Sequence, residues 1–317
     1  MRAVFASTFN GDNPLAALSV GERPEPEAPN ADWVTVEVRA SSLNHHDLWA
    51  LRGVGLSAER LPMILGCDAA GVDPDGNEVI VYPVVPDPAD PRGISLLSEH
   101  YQGTLAERVV VPRHNLIPKP AELSFTDAAC LPTAWLTAYR MLTTKGRVHD
   151  GESVLVQGAG GGVATAAVAL AVAMGKRVYA TSRDAAKRER VAQLGATALE
   201  PGARLPERVD VVIETVGEAT FDHSMKSARP GARIVVAGAT AGHEPKVNLR
   251  RVFAMQVEIL GTTMGTREEF VDLLRFLADT GVRPVVDSVF GFSEAEAAFA
   301  RLASGEIFGK VVLDHTR

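Results

Sequence analysis

The stretch Ser153-Val154-Leu155-Val156-Gln157-Gly158-Ala159-Gly160-Gly161-Gly162-Val163-Ala164 decides the fold. A short apolar run ends in a glycine cluster, and an alanine-rich segment follows over about 163–174. That order predicts a buried strand, a tight turn and a helix. Glycines let a backbone pass close to a ligand, and the free N–H groups at the start of the helix suit a diphosphate. An ordinary packing turn presents the same glycines, so context has to decide. Arg177-Val178-Tyr179-Ala180-Thr181 reads as a second strand, which makes this a strand–helix–strand unit of the dinucleotide-binding kind.

Downstream the alternation continues. A helix over 185–194 is stopped by Gly195, and strands at 209–214, 233–237 and 257–260 interleave with a helix over 221–228. These units predict a mainly parallel, doubly wound sheet. After Gly261 the pattern gives a helix near 267–278, a strand near 285–289, a helix from Ser293 with Glu296 completing its capping box, and a last strand at 310–314. Upstream the chain is β-rich. Residues 2–6 read as an edge strand, and 33–40 alternate at period two. Residues 42–51 read as a short helix, and further strands fall near 78–82 and 103–111. Ser124 caps a helix through Asp127, and a second apolar helix covers 134–142. The expected fold class is α/β, a β-rich domain plus a Rossmann domain, with segments at 1–124, 125–264 and 265–317.

Composition narrows the function. A net charge of -7 offers no general attraction to nucleic acid or to an acidic membrane face. The helix at 163–174 is too short to span a bilayer, and the N-terminus has no basic segment leading into a long apolar run, so the expected compartment is the cytosol. Cys67 and Cys130 are the only cysteines, which excludes a disulfide framework or a multi-cysteine zinc knot; each reads as a small buried apolar side chain. The connector over 83–102, punctuated by Pro83, Pro86, Pro88 and Pro91, reads either as a surface loop or as a rim beside a cleft.

Many NAD-binding proteins carry an acid for the adenosine ribose at the end of the second Rossmann strand. Here that strand runs into Thr181-Ser182-Arg183, with Lys187 one turn on. Asp184 falls past the strand end, in the first turn of a helix, where its charge is favourable. Ser182, Arg183 and Lys187 suit a 2′-phosphate, which points to NADPH; the alternative is a solvated basic patch that Arg188 and Arg190 extend.

Five segments in this order resemble one family: Asn44-His45-His46-Asp47, Gly103-Thr104-Leu105-Ala106-Glu107, Leu136-Thr137-Ala138-Tyr139, Gly158 to Ala164, and Phe308-Gly309-Lys310-Val311-Val312-Leu313. The chain resembles a zinc-independent medium-chain dehydrogenase/reductase of the quinone oxidoreductase type. That family joins a GroES-like β domain to an inserted Rossmann domain, with a C-terminal return to the first. Zinc-dependent relatives have a catalytic cysteine where this chain has Asn44, histidine and glutamate where it has Cys67 and Asp68, and a third ligand cysteine near Thr133. No metal site is expected, although His45 or His46 with Cys67 and Asp68 stands as an alternative ligand set.

The resemblance implies NADPH delivering hydride to a quinone or to the β carbon of an enone, with hydrogen-bond donors supporting the carbonyl oxygen. Asn44 and Thr133 are the candidate donors, with Thr137 and Tyr139 behind them; Asp47 is an orienting or capping carboxylate, and Trp49 a wall for a flat acceptor or core filling. Trp135 is a similar candidate wall, and His45 and His46 are either a proton relay or exposed helix residues. Gly160, Gly161, Gly162 and Val163 are expected at the diphosphate, Gly217 and Gly238 at the riboses, and Thr262 and Thr263 near the nicotinamide. Lys310 is expected to reach the cofactor or to hold the domains together. The strand near 257–260 is implied to pair across a homodimer axis. Two other readings stay open: a zinc-dependent alcohol dehydrogenase with atypical ligands, and a non-enzymatic NADPH-binding redox sensor.

Overall fold

Trp33–Ser42 is the strand on which the β-rich unit is built. Its apolar residues alternate as the sequence predicts, with Val34, Val36, Val38 and Ala40 all buried. Along its length it pairs antiparallel with Arg108–Pro112, Asp68–Val72 and Lys310–Asp314. The last pairing sets Val312 opposite Ser42 and Leu313 opposite Ser41, and the Leu43 N–H donates to the Val311 carbonyl at 2.9 Å. Lys310 is thereby carried to Asn44, although 266 positions separate them in the chain.

In the computed structural model, which describes residues 1–88 and 90–317, the chain divides into two units. One comprises Met1–Thr133 and Val286–Arg317, the other Ala134–Val285. These limits differ from the expected 124 and 264. The helix Phe125–Ala129 packs on Trp33–Ser42 and Asp68–Val72, so it belongs with the β unit. The helix Arg267–Thr280 packs on Leu136–Arg140, where Glu269 accepts from Arg140 at 2.5 Å, so it stays with the second unit.

The second unit holds a six-stranded parallel sheet in the order Thr197–Leu199, Arg177–Thr181, Ser153–Val156, Val209–Glu214, Ala228–Val236, Glu258–Gly261. This is the doubly wound order, whose chain reversal falls beside the first strand. Ser153–Val156 and Val209–Glu214 are buried along their whole length, as central parallel strands require. The helix Gly162–Ala173 starts from Gly161 and buries its alanine face. Among the described residues, no helix is long and apolar enough to cross a membrane.

Three local expectations are corrected. Arg2–Ala6 is not an edge strand, because it lies between Leu18–Glu22 and Met63–Ile64. The capping box at 293–296 is displaced: Glu294 accepts the Gly291 N–H at 2.7 Å, and the helix begins at Ala295. The connector is more than a surface loop. Val84–Pro86 pairs with Ile94–Leu96, and Val85 and Leu97 enter the core with Val36 and Val109. Ala89, inside that connector, lies outside the described residues.

His315 closes the C-terminal return. One ring nitrogen lies 2.8 Å from the Ser41 hydroxyl, the ring packs on Phe292 at 4.3 Å, and Nδ1 is buried without a partner. Burial lowers its pKa from 6.5 to about 3. The unfolded chain therefore takes up a proton that the folded chain refuses. Stability is complete above 6.5 and falls as pH drops from 6.5 toward 3. Chemical denaturation over that window should show the slope, and His315→Gln should flatten it; an unchanged slope would assign the acid sensitivity to other groups.

Candidate functional site

Asn44 sits at the end of the strand Trp33–Ser42 and opens the short helix His45–Leu51. Its backbone N–H donates to Asp47 Oδ2 at 2.8 Å, and the other Asp47 oxygen takes the Gly66 N–H at 3.0 Å. Asp47 is fully buried, and burial pushes its pKa up against the pull of His46 and of these hydrogen bonds. It is a capping and orienting carboxylate that ties the Asn44 turn to Gly66.

With Asp47 holding the backbone, the Asn44 side chain is free for other partners. Its Oδ1 accepts from Lys310 Nζ at 2.6 Å, and its Nδ2 donates to Asp68 Oδ2 at 2.9 Å. Lys310 also donates to the Leu43 carbonyl at 2.7 Å and to Asp68 Oδ2 at 3.2 Å. Asp68 Oδ1 takes the Thr133 hydroxyl at 2.6 Å, and the Ser42 hydroxyl shares its proton between Asp68 Oδ2 and the Ala129 carbonyl, 2.9 Å from each. Ser42, Asn44, Asp68 and Lys310 are all buried, with Asp68 fully so.

Counting donors corrects two expectations. An ammonium has three N–H bonds, and all three of Lys310 are engaged within the β unit, which leaves none for a cofactor. The single Thr133 proton goes to Asp68, so Thr133 is not a donor to a carbonyl. Asn44 differs: its carboxamide oxygen and one N–H are held, and the second N–H stays available.

A second group lies two residues along. His46 Nε2 is 3.2 Å from Glu99 Oε1, and Nδ1 faces the Cys67 sulfur at 3.6 Å and the Ser98 hydroxyl at 3.5 Å. Burial works against the imidazolium, yet with Cys67, Glu99 and Asp47 around the ring its pKa stands well above 6.5. Burial raises the Cys67 thiol, which donates to the Leu97 carbonyl at 3.2 Å. His45 and Trp49 are exposed on the same helix, with Arg52 stacked over the Trp49 ring at 5.1 Å, so Trp49 is surface and not core. Glu99 and Ser98 come from the connector and had no periodic signature to reveal them.

These donors do not fit zinc. Both oxygens of Asp68 are occupied, and among the described residues no group of three or more His, Cys, Asp or Glu is placed to hold a metal.

In the second unit, the turn after Ser153–Val156 has Gly158 and Gly160 at φ of 70° and 152°. A Cβ on Gly158 would strike Val216 at 2.4 Å, whereas one on Gly161 would meet nothing within 4 Å. The open side at Gly161, beside the start of the helix Gly162–Ala173, is a cradle that fits a diphosphate. Val163 lies in the first turn of that helix. Gln157 supports the turn from below: its Oε1 accepts from Thr181, whose Oγ1 takes the Gly158 N–H at 3.2 Å. Glu214 does the same for the next turn, accepting the Val216 and Gly217 N–H groups at 2.9 and 3.0 Å. A charged residue ending the buried apolar run Val211-Val212-Ile213 was the legible sign of Glu214.

The remaining expected residues are placed as follows. Ser182 is buried and accepts the Asp184 N–H, Arg183 is exposed, and Lys187 is half-buried in the first turn of Ala185–Gln193. Asp184 Oδ1 caps that helix through Ala186 and Lys187. Gly217 needs its φ of 88°, since a Cβ would meet the Gly242 carbonyl at 2.2 Å, and Gly238 lies against Thr215. Thr262 Oγ1 accepts from Arg140 at 3.1 Å, while Thr263 is exposed. Thr137 is buried on Leu136–Arg140, and Trp135 is fully buried with Nε1 unpartnered, so Trp135 is no ligand wall.

A β-rich unit joined to a doubly wound dinucleotide-type unit defines an oxidoreductase architecture. Residues 30–121 match the alcohol dehydrogenase GroES-like domain and 162–279 the zinc-binding dehydrogenase domain. A zinc-type alcohol dehydrogenase-like protein of Schizosaccharomyces pombe is 30% identical over 91% of this chain and 92% of its own. The quinone oxidoreductase of Lama guanicoe is 28% identical over 99% of this chain and 97% of its own. Two solved structures superpose with a TM-score of 0.89. One is an NAD-dependent alcohol dehydrogenase, 34% identical and covering 99% of both chains. The other is the 2-octenoyl-CoA carboxylase reductase CinF with NADP and 2-octenoyl-CoA, 26% identical over 98% of this chain and 87% of its own. The chain belongs to the medium-chain dehydrogenase/reductase family.

Removing one member of a buried charge pair leaves the other uncompensated, at about 3–5 kcal/mol. Lys310→Met should therefore lower the unfolding free energy by roughly that amount in urea titration. A loss within the error of wild type would mean that Asp68 is satisfied by its neutral donors alone.

Proposed function

We propose that the protein is an NADPH-dependent reductase that transfers hydride, without a metal, to a quinone or to the β carbon of an α,β-unsaturated carbonyl compound. The observation that carries this reading is the Asn44 carboxamide: oriented by Lys310 and Asp68, it keeps one N–H for an acceptor oxygen. Bound NADPH would supply the hydride. A neutral, pre-oriented donor favours charge developing on a carbonyl oxygen during such a transfer, because it needs no reorganisation at that moment. The engagement of Asp68 and Cys67 in internal hydrogen bonds supports a route without zinc. Quinone and enoyl-thioester chemistry in two of the similar proteins agrees with the acceptor class.

The choice of NADPH rests on Asp184. Its carboxylate is engaged as a helix cap, while Arg183 stands exposed beside it and Lys187 follows in the first helical turn. This arrangement suits a 2′-phosphate better than a ribose diol. The similar structures include both an NAD-dependent enzyme and one with NADP bound, so the reading rests on this chain's own residues. A homodimer is part of the same reading. Glu258–Gly261 is an edge strand with Ile259 exposed, and Leu249 and Phe253, on the preceding helix, are 71% and 70% exposed.

The direct test is NADPH consumption against a panel of quinones, enones and enoyl thioesters, with metal content measured on the same sample. No turnover across the panel, or one zinc per chain, would overturn the reading. Asn44→Ala should lower kcat by roughly 10²-fold while leaving NADPH affinity nearly unchanged. Equal losses in both would reduce Asn44 to a structural residue. Ser182→Asp with Arg183→Ala should weaken NADPH by roughly tenfold or more and NADH far less; parallel losses would remove the phosphate assignment.

A further inference from the structure

On the second unit, the segment 202–208 and the helix Glu218–Ser227 enclose a groove of about 470 Å³. Its wall carries Arg204, Arg208, His223 and Lys226, with Leu205 and Pro206 as apolar surface. The acidic groups nearby are already matched. Glu207 is held by Arg177 at 2.7 and 3.0 Å and by the Tyr179 hydroxyl at 2.9 Å, and Asp222 pairs with Lys226 at 2.6 Å. Arg204 and Arg208 are exposed and have no ion-pair partner among the described residues. Two free guanidinium groups over an apolar floor fit phosphate oxygens and an attached organic body. None of the residues expected at the dinucleotide lines this groove.

The groove is also wired to the glycine turn. The Ala203 carbonyl can only accept, so His223 Nε2 carries the proton and donates to it at 2.9 Å. His223 Nδ1 then accepts from Gln157 Nε2 at 2.9 Å, and the other amide proton goes to Ser224 at 3.0 Å. Gln157 Oε1 takes the Thr181 hydroxyl at 2.7 Å, and Thr181 takes the Gly158 N–H. Gln157, Thr181 and Ser224 are buried, so a shift of His223 has no water to absorb it.

We propose that this groove is a second binding site, for a small organic phosphate of the nucleoside-phosphate class, and that its occupancy alters binding at the glycine turn through His223, Gln157 and Thr181. The coupling rests on NADPH being the occupant of that turn; the binding does not.

Calorimetric titration of the NADPH-loaded protein with ADP, and separately with inorganic pyrophosphate, tests the site. Saturable binding is expected, and Arg204→Ala with Arg208→Ala should weaken it by roughly tenfold or more. Binding of ADP alone assigns recognition to the phosphates and the organic body together, whereas binding of both probes assigns it to the phosphates. No saturable binding of either probe, or equal binding in the double variant, overturns the proposal. If the chain takes up no NADPH, the same comparison on the protein alone still reads the groove. For the coupling, NADPH affinity is measured with and without saturating ADP. Competition at the glycine turn would affect wild type and double variant alike. The groove should add a further change of roughly fivefold in wild type only, and identical changes in both proteins would overturn the coupling.

Discussion

Lys310 and Asp68 meet in the interior of the β unit, and the surrounding structure is arranged so that neither charge is left uncompensated. Taking both out of water is expensive, and their attraction alone does not return that energy. The balance is met by the neutral donors and acceptors around them: Ser42, Asn44, Thr133 and the Leu43 carbonyl. Such a cluster adds little net stability over an apolar core of equal volume. In the observed arrangement every member of the set is hydrogen-bonded. That arrangement requires the final strand Lys310–Asp314 to lie in register beside Trp33–Ser42.

The second unit solves a parallel problem beneath its glycine turns. A turn that offers its N–H groups to an anion needs fixed backbone on either side, and glycines do not provide that themselves. Gln157 and Glu214 do. Each is fully buried, and each has its polar atoms engaged by neighbouring side chains or by the turn backbone. Both stand at the C-terminal end of a central parallel strand, where a doubly wound sheet meets its ligand. The glycines allow close approach, and the two buried polar residues hold the approach geometry.

The family includes proteins whose names specify zinc. In this chain Asn44 is a neutral amide, Cys67 donates to the Leu97 carbonyl, and Asp68 is the hub of a hydrogen-bond network. His46 lies against Glu99, whose second oxygen is bonded by Arg92 at 3.0 Å.

The linear order of residues determined much of this protein. The glycine turn, the second parallel strand, the alternation of residues 33–40 and the strand at 310–314 all rest on local periodicity and turn chemistry, which neighbours in the chain impose on one another. The Asn44–Asp47 turn and the place of Asp184 at a helix start were legible because those contacts lie within three positions. The role of Lys310 was not, nor was that of Thr133 or Glu99, because their partners lie 266, 65 and 53 positions away. Hydrogen-bond capacity is counted in space: an ammonium with three protons is free or committed only once the acceptors around it are known. Tertiary structure alone made that count, placing Lys310 in support of Asn44.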